Sequence, residues 1–219
     1  MGIGKKGFTL VEIIVSLAIM TIVAGAVGAF VIAGNNSYMR GNKELTLQEE
    51  AQLTANQMID LIIDVEKGIS FSNLTDQEAV DVDGNVAKDV NGMEVTNASV
   101  SELRLINNDN SYMIRWQGGA GADYADANQV YLYEVTNTKD GEGKVVVGDF
   151  DTARPALMAE HVSSFSVDLS ELDKRKVVLN MTFTYQDKSY DISETIKLRN
   201  DLSSEPSSIY SLSLIHISE

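Results

Sequence analysis

An uninterrupted apolar run near the amino terminus constrains this 219-residue chain more than any other feature. From Ile13 to Ala33 the chain has 21 residues without a charged side chain. At a helical rise of about 1.5 Å per residue, such a run crosses a hydrocarbon core of about 30 Å. We therefore predict a transmembrane helix over about residues 10–33, with Lys5 and Lys6 on its amino-terminal side.

One acidic side chain, Glu12, lies at the start of this run, with Phe8 and other apolar residues before it. A carboxylate inside hydrocarbon costs roughly 2.5–3.5 kcal/mol, and such residues usually mark a function. The segment offers no cation after Lys6. If the chain were cleaved after Gly7, the new amino group on Phe8 of a neighbouring copy would pair with Glu12. That pairing would remove two uncompensated charges from lipid at once.

The stretch Lys5-Lys6-Gly7-Phe8-Thr9-Leu10-Val11-Glu12 resembles the processing motif of type IV prepilins and type II secretion pseudopilins. The resemblance implies that residues 1–7 are a leader, charged by Lys5 and Lys6, and that a prepilin peptidase cleaves after Gly7. It also implies that Phe8 becomes the methylated amino terminus and that Glu12 is the assembly glutamate. The implied partners are other pilin subunits, a membrane platform protein and an assembly ATPase.

Two other interpretations of this segment stay open. The first is an ordinary secretory signal that is cleaved at Ala24-Gly25-Ala26. The glutamate at the start of the run and the apolar residues beyond that site argue against it. The second is a plain single-span anchor in which Glu12 has no role. The mature amino terminus separates the three, because it would be N-methyl-Phe8, Val27 or Met1 respectively.

The charge of the chain is strongly acidic, with a formal net charge of −15. Residues 1–40 carry three basic side chains and one acidic one, which leaves −17 for residues 41–219. Such a domain repels phosphate backbones, so we expect no direct nucleic-acid binding. The one basic cluster, Lys174-Arg175-Lys176, is interpreted as a solvated turn between strands. The chain has no cysteine, which excludes disulfides and thiol chemistry.

Catalytic signals are weak throughout the sequence. The histidines are His161, in a strand-like run, and His216, near the end of the chain. With no cysteine and no glycine-rich phosphate loop, no residue pattern sets up a nucleophile with its base. Histidine or cysteine spacing typical of a metal site is absent as well. We predict that the protein is not an enzyme and needs no cofactor.

A weak metal candidate is the run Asp81-Val82-Asp83-Gly84-Asn85, in which Asp81, Asp83 and Asn85 alternate as oxygen ligands. In a calcium-binding EF-hand loop the glycine follows the third ligand, and a glutamate closes the loop at its twelfth position. Here the glycine precedes Asn85, and the closing glutamate is missing. The run is therefore interpreted as a tight turn, with calcium binding as the alternative.

Helical periodicity continues beyond the apolar run. Apolar residues recur at three- and four-residue spacing and predict an amphipathic helix over about residues 43–67: Leu47, Ala51, Ala55, Met58, Ile62 and Val65. Together with the transmembrane half it forms a long amino-terminal helix over residues 8–67. Two short runs are unfavourable in the interior of a helix: Gly34-Asn35-Asn36 and Gly41-Asn42. The pattern of a capping box follows in Thr46-Leu47-Gln48-Glu49, and a new helix would begin there. Any local melting of the helix in a filament is expected at these Gly-Asn steps.

Residues 68–200 form the predicted extracytoplasmic, β-rich domain. Residues 69–98 read as loop with short strands, and period-two alternation predicts strands over much of the rest. The clearest predicted hairpin consists of two strands, Val177–Tyr185 and Tyr190–Leu198, whose apolar residues lie on one face. The expected fold is α+β, a long amino-terminal helix packed on an antiparallel sheet as in pilins. We expect five aromatic side chains in its core: Trp116, Phe165, Phe183, Tyr185 and Tyr190.

Residues 201–219 read as a serine-rich tail whose closing Ser213–Glu219 resembles translated sequencing-adapter read-through. By size and layout the chain resembles a minor pilin or minor pseudopilin. The resemblance implies a structural subunit of a filament used in adhesion and motility, DNA uptake or protein secretion. It implies a single-pass inner-membrane protein, with a cytoplasmic amino terminus, that moves into a surface pilus or pseudopilus. The alternative is a membrane-anchored acidic binding domain that does not polymerise.

Overall fold

The computed structural model describes residues 7–96, 98–118 and 127–202. The chain divides into two compact units, residues 1–45 and residues 46–219. Helix α1, Leu10–Ile63, is 54 residues long. It makes up most of the described part of the first unit and supplies the first element of the second.

Helix α1 runs without interruption through both Gly-Asn steps and through Thr46. No second helix begins at the predicted capping box, because extending a helix costs far less than nucleating a new one. The helix ends at Ile63, before the predicted end near residue 67. Val65 is nevertheless fully buried, so the apolar pattern continues into the core from the turn that follows the helix.

Strands β1 to β4 and β7 form one antiparallel five-stranded sheet in the order β1-β2-β3-β4-β7. A three-stranded antiparallel sheet has the order β10-β9-β8, and β5 pairs with β6 alone. The strands are β1 (Gly68–Gln77), β2 (Ala98–Ile106), β3 (Asn110–Gly118), β4 (Gln129–Thr136), β5 (Thr138–Lys139), β6 (Val145–Val146), β7 (Ala156–Ala159), β8 (Val162–Asp168), β9 (Lys176–Tyr185) and β10 (Lys188–Lys197). The α+β class is therefore confirmed, with the strands divided between two main sheets.

The main hydrophobic core joins the second half of α1 to both main sheets. The helix buries a stripe of Leu47, Ala51, Ala55, Met58 and Ile62. The larger sheet contributes Leu103, Ile114 and Val130, and the smaller one contributes Leu179 and Phe183. Trp116 on β3 links the larger sheet to the smaller one, because its indole N–H donates to the carbonyl of Val162 on β8 at 2.6 Å. Trp116, Phe165 and Phe183 are buried, while Tyr185 and Tyr190 pack against the core from its edge.

Strand β1 lies where the sequence predicted mainly loop. It is ten residues long and pairs with β2 from Gly68↔Ile106 to Gln77↔Ala98, with a bulge after Leu74. Only Gly68 and Ile69 are buried, and the remainder of the strand is polar and partly solvated. An edge strand needs little apolar surface, so its sequence resembles that of a loop.

The residues that follow β10 return to the end of helix α1. The Arg199 amide donates to the Ile63 carbonyl at 3.0 Å, and the Asn200 side chain donates to the Val65 carbonyl at 2.9 Å. Arg199 also forms an ion pair of 2.7 Å with Asp64. The last carbonyls of a helix lack partners within it, so these contacts from a distant part of the chain cap α1.

Candidate processing and assembly site

The start of helix α1 is organised by Thr9 and Glu12. The Thr9 hydroxyl accepts a hydrogen bond from the Glu12 amide at 3.3 Å. In return, the Glu12 carboxylate accepts from the Thr9 amide at 2.8 Å and from the Thr9 hydroxyl at 2.9 Å. This reciprocal arrangement is a capping box, in which two backbone donors at the helix start find partners.

Thr9 is a site residue that the sequence reasoning missed. The Thr-x-x-Glu signal is present in Thr9-Leu10-Val11-Glu12 and directly precedes the apolar run. The first amides of any helix lack partners within the helix, and leaving them unpaired in an apolar medium is costly. The carboxylate of Glu12 is therefore engaged by its own chain before any other copy is present.

Other polar residues of the apolar run are also satisfied within the helix. The Ser16 hydroxyl donates to the Glu12 carbonyl at 2.7 Å, and the Thr21 hydroxyl donates to the Ala18 carbonyl at 2.8 Å. Because lipid offers no hydrogen-bond partners, such bonds to the preceding turn make the two hydroxyls compatible with a hydrocarbon surround. The run thus retains the properties of a membrane-spanning segment despite its polar residues.

The apolar side chains of this segment are uncovered in the isolated chain. Phe8 is 85% exposed and Phe30 is 80% exposed, and none of the most apolar stretch of α1 is buried. In the part of the chain that the structure describes, α1 is the one helix long and apolar enough to cross a membrane. So much exposed apolar surface requires lipid or protein around it.

The residues of the predicted cleavage site lie just before the helix. Gly7 and Phe8 are outside regular secondary structure, and a side chain added at Gly7 would meet nothing within 4 Å. Lys5 and Lys6, predicted as the leader charge, lie outside the described residues. The structure thus brings Phe8, Thr9 and Glu12 together at one helix start, with the Gly7–Phe8 bond in open, non-helical chain.

Comparison with protein families gives one match for this segment. The family model of the prokaryotic N-terminal methylation motif matches residues 4–28. The amino terminus is of the type IV prepilin and pseudopilin family. The match covers residues 4–7 of the predicted leader, the predicted cleavage site and more than half of the apolar run, and leaves the β-rich domain unmatched. No curated protein and no solved structure matches the chain.

The prepilin motif belongs to structural proteins that a prepilin peptidase processes and that assemble with other pilins. Together with the apolar helix it fits a membrane-anchored pilin.

The weak metal candidate occupies a tight turn. The Asp81 carboxylate accepts from the amides of Asp83 and Asn85, both at 2.9 Å. The same pattern recurs twice along the chain. Asp89 accepts from two amides two and four residues ahead at 2.8 and 2.9 Å, and Asp140 does so at 2.9 Å for both.

A glycine completes each of these three turns. Gly84, Gly92 and Gly143 have φ angles of 84°, 81° and 80°, a left-handed conformation that side-chain-bearing residues avoid. Each glycine amide donates to the carbonyl of the aspartate three residues earlier, at 2.9–3.0 Å. The recurrence accounts for the spacing of Asp81, Asp83 and Asn85 as turn chemistry. Within the described ranges, no group of three metal-ligating acidic or histidine side chains occurs.

Two further residues singled out in the sequence have structural partners. His161 lies between β7 and β8, with its Nδ1 2.6 Å from Glu50 Oε2. In the basic cluster, Lys174 and Lys176 approach Glu171 at 2.6 and 3.5 Å. The cluster begins at the last residue of the 3-10 turn Leu172–Lys174, between β8 and β9. This position agrees with the predicted solvated turn between strands. His216 lies outside the described residues.

Proposed function

We propose that this chain is a minor pilin or minor pseudopilin, a structural subunit of a type IV pilus-like filament. In this proposal a prepilin peptidase cleaves after Gly7 and methylates Phe8. The mature chain then leaves the membrane for the filament, driven by an assembly ATPase and a platform protein. It has no catalytic role of its own.

The observation that carries this proposal is the acidic residue at the start of an otherwise apolar helix. Glu12 is the one charged side chain between Lys6 and Arg40. Its carboxylate accepts hydrogen bonds from the Thr9 amide and hydroxyl. Those neutral donors both bond to one carboxylate oxygen, Oε2, and leave the charge of the carboxylate without a counter-charge. A cationic amine from Phe8 of another copy would add the missing counter-charge, which favours association of copies in lipid.

Two substitutions separate the two proposed roles of Glu12, in helix capping and in charge pairing. Glu12→Gln keeps an oxygen that accepts from the Thr9 amide but removes the charge, whereas Glu12→Ala removes both. We expect both variants to be cleaved and inserted, and both to be lost from sheared filament preparations. Glu44→Gln is the matched control, because this exposed glutamate lies on the same helix beyond the apolar run.

Three outcomes decide the question. Loss of Glu12→Gln from filaments, with Glu44→Gln retained, supports pairing of charges. Normal incorporation of Glu12→Gln with loss of Glu12→Ala would assign Glu12 to helix capping alone and overturn the pairing. Absence of the unaltered protein from filaments, with N-methyl-Phe8 in place, would favour a membrane-anchored acidic binding domain instead.

The proposed topology places residues 1–7 in the cytoplasm and the domain after α1 outside the membrane. The charge of −17 over residues 41–219 and the size of the domain support a minor rather than an abundant subunit, because densely repeated copies would repel one another. Twitching motility or adhesion, DNA uptake and protein secretion are the settings in which such a subunit would act. Immunogold labelling of intact cells against domain and leader epitopes tests the orientation.

A further inference from the structure

The face of the larger sheet that points away from α1 carries an ionic cluster built around a buried glutamate. Glu102 on β2 is 5% exposed, and its carboxylate lies 2.8 Å from Arg104 and 3.9 Å from Arg115 on β3. Arg115 also donates to the Glu78 carbonyl. On the exposed side of a sheet such charges would be solvated. Here other parts of the chain cover Glu102 and most of Arg115, while the Arg104 side chain stays 40% exposed.

Two loop segments form that cover. Residues 79–87 and the stretch around the 3-10 turn Phe150–Thr152 approach each other, with Arg154 and Asp83 joined at 3.2 Å. A side chain added at Gly84 would come within 3.3 Å of the Pro155 ring, so the two segments are in close contact there. Beneath and beside them lies a cavity of about 670 Å³.

The charges on the cavity wall are mainly negative. Asp76, Glu78 and Asp151 line it, against the single cationic side chain Arg115. Arg115 already has Glu102 and the Glu78 carbonyl as partners. Asp76 sits at a bulge of β1 with a φ of 57°, a left-handed conformation that is unusual for a residue other than glycine. The balance of charge at the wall therefore attracts cations.

Aromatic rings supply the second part of the wall. Tyr133 and Phe150 both line the cavity. Phe150 already accommodates a cation on its ring, since the Arg104 guanidinium carbon lies 5.9 Å from the ring centroid. Carboxylates together with aromatic faces are the surroundings that favour ammonium groups on carbon chains.

Tyr133 gives an independent indication of a ligand. Its side chain is only 5% exposed, and its hydroxyl has no hydrogen-bond partner among the described residues. Burial raises the pKa of Tyr133, with smaller contributions from Glu102 and Asp151 and against the opposing effect of Arg115, so the hydroxyl stays neutral and retains an acceptor lone pair. A buried hydroxyl without a partner destabilises the folded state, and a ligand that donates to it would relieve that cost. Because the oxygen is closed off from solvent, part of the cavity wall must shift for a ligand to reach it.

We propose that this cavity binds an organic cation that carries primary ammonium groups on an aliphatic chain. The ammonium groups contact Asp76 and Asp151 at the mouth, and a donor reaches the Tyr133 hydroxyl as part of the cavity wall moves aside. A free polyamine and a lysine side chain of a peptide share this chemistry. A compact metal ion fits less well, because no three acidic or histidine side chains converge anywhere in the described part of the chain.

The test is a calorimetric titration of the full mature chain in detergent micelles with spermidine at fixed ionic strength. We expect saturable binding of one spermidine, weakened roughly tenfold by Asp151→Asn and by Tyr133→Phe. Tyr133→Phe should also leave the melting temperature of the free protein unchanged or higher, since it removes an unpartnered buried hydroxyl. Asp173→Asn is the matched control, because it removes an exposed acid of the other 3-10 turn, away from the cavity wall.

Parallel arms with Nα-acetyl-lysine amide and with Mg²⁺ identify the source of the chemistry. Binding of the lysine derivative with the same sensitivity to Asp151→Asn would assign the site to a lysine side chain rather than a free polyamine. Equal weakening by Asp151→Asn and Asp173→Asn, or full competition by Mg²⁺ at the same ionic strength, would reduce the effect to general attraction by an acidic protein and overturn the proposal. So would the absence of saturable binding.

Discussion

Glu50 on helix α1 and His161 between β7 and β8 lie 2.6 Å apart, measured from Glu50 Oε2 to His161 Nδ1. The other oxygen of the same carboxylate accepts from the amides of Glu160 and His161 at 2.6 and 3.1 Å. The His161 ring also packs edge-on against Tyr185, with 4.6 Å between the ring centroids. One carboxylate thus anchors the point where the chain passes from the larger sheet to the smaller one.

Replacing this carboxylate should destabilise the domain. Glu50→Ala leaves two backbone amides and a histidine without their acceptor, which we expect to cost about 1–3 kcal/mol. Chemical unfolding of the full chain in detergent, followed by near-ultraviolet circular dichroism, measures the loss. Glu49→Ala is the control on the same helix turn, as Glu49 is exposed. Equal stability of the two variants would contradict the role given to Glu50.

The capping box at the helix start predicts a difference between two substitutions of Thr9. Thr9→Ser keeps the hydroxyl that bonds to Glu12, whereas Thr9→Val keeps the shape and loses it. Loss of an N-cap typically costs about 0.5–2 kcal/mol. Amide hydrogen exchange in the first turn of α1 should therefore be faster in Thr9→Val and near normal in Thr9→Ser. Matching exchange rates in both variants would remove the capping role.

The Gly-Asn steps predict the effect of alanine on helix α1. Gly34 and Gly41 lie within the continuous helix, and a side chain added at either meets nothing within 4 Å. Alanine at each position should stabilise the local helix by about 0.5–1 kcal/mol, visible as slower amide exchange over residues 34–42. If the helix loosens here during assembly, the double variant Gly34→Ala/Gly41→Ala should also enter filaments less efficiently. Unchanged incorporation would place any loosening elsewhere.

The Asp89 turn predicts a contribution to stability that depends on pH. The Met93 amide, followed by further bonds within the turn, lowers the pKa of Asp89 below its ordinary value of 3.8. A carboxylate with a lowered pKa stabilises the folded state above its unfolded pKa and loses that effect as pH falls through its folded pKa. The melting temperature of the unaltered protein minus that of Asp89→Asn should therefore be constant above about pH 5 and shrink towards pH 2. A difference that grows on acidification would contradict this sign.

Local patterns in the sequence were sufficient for much of this architecture. The buried stripe of α1 follows a helical period from Leu47 to Ile62, and the inward faces of β2, β3 and β9 follow a period of two. Both patterns arise because one side of each element is apolar. The fold class followed from those faces, since an apolar helix stripe and apolar strand faces must cover one another.

Features that depend on contacts between distant residues could not be predicted from local sequence patterns. The alternation of Glu102 and Arg104 with leucines predicts a strand but not what lies over its polar face, where Val80, Phe150 and Ala153 pack on the outer side of the sheet. The division into sheets of five and three strands also depends on pairings between residues far apart in the chain. The capping role of Thr9, in contrast, has a local signal, the Thr-x-x-Glu pattern, and could have been predicted from the sequence.

The return of Arg199 and Asn200 to the end of helix α1 has a mechanical consequence. A pulling force on α1 loads the buried stripe from Leu47 to Ile62 and then reaches Ile63, where the chain both leaves the helix and is held by residues after the last strand. The load is then shared between β1 and β10 instead of peeling a single strand from an edge. A subunit tethered by its helix would for this reason resist tension better than the modest size of its sheets suggests.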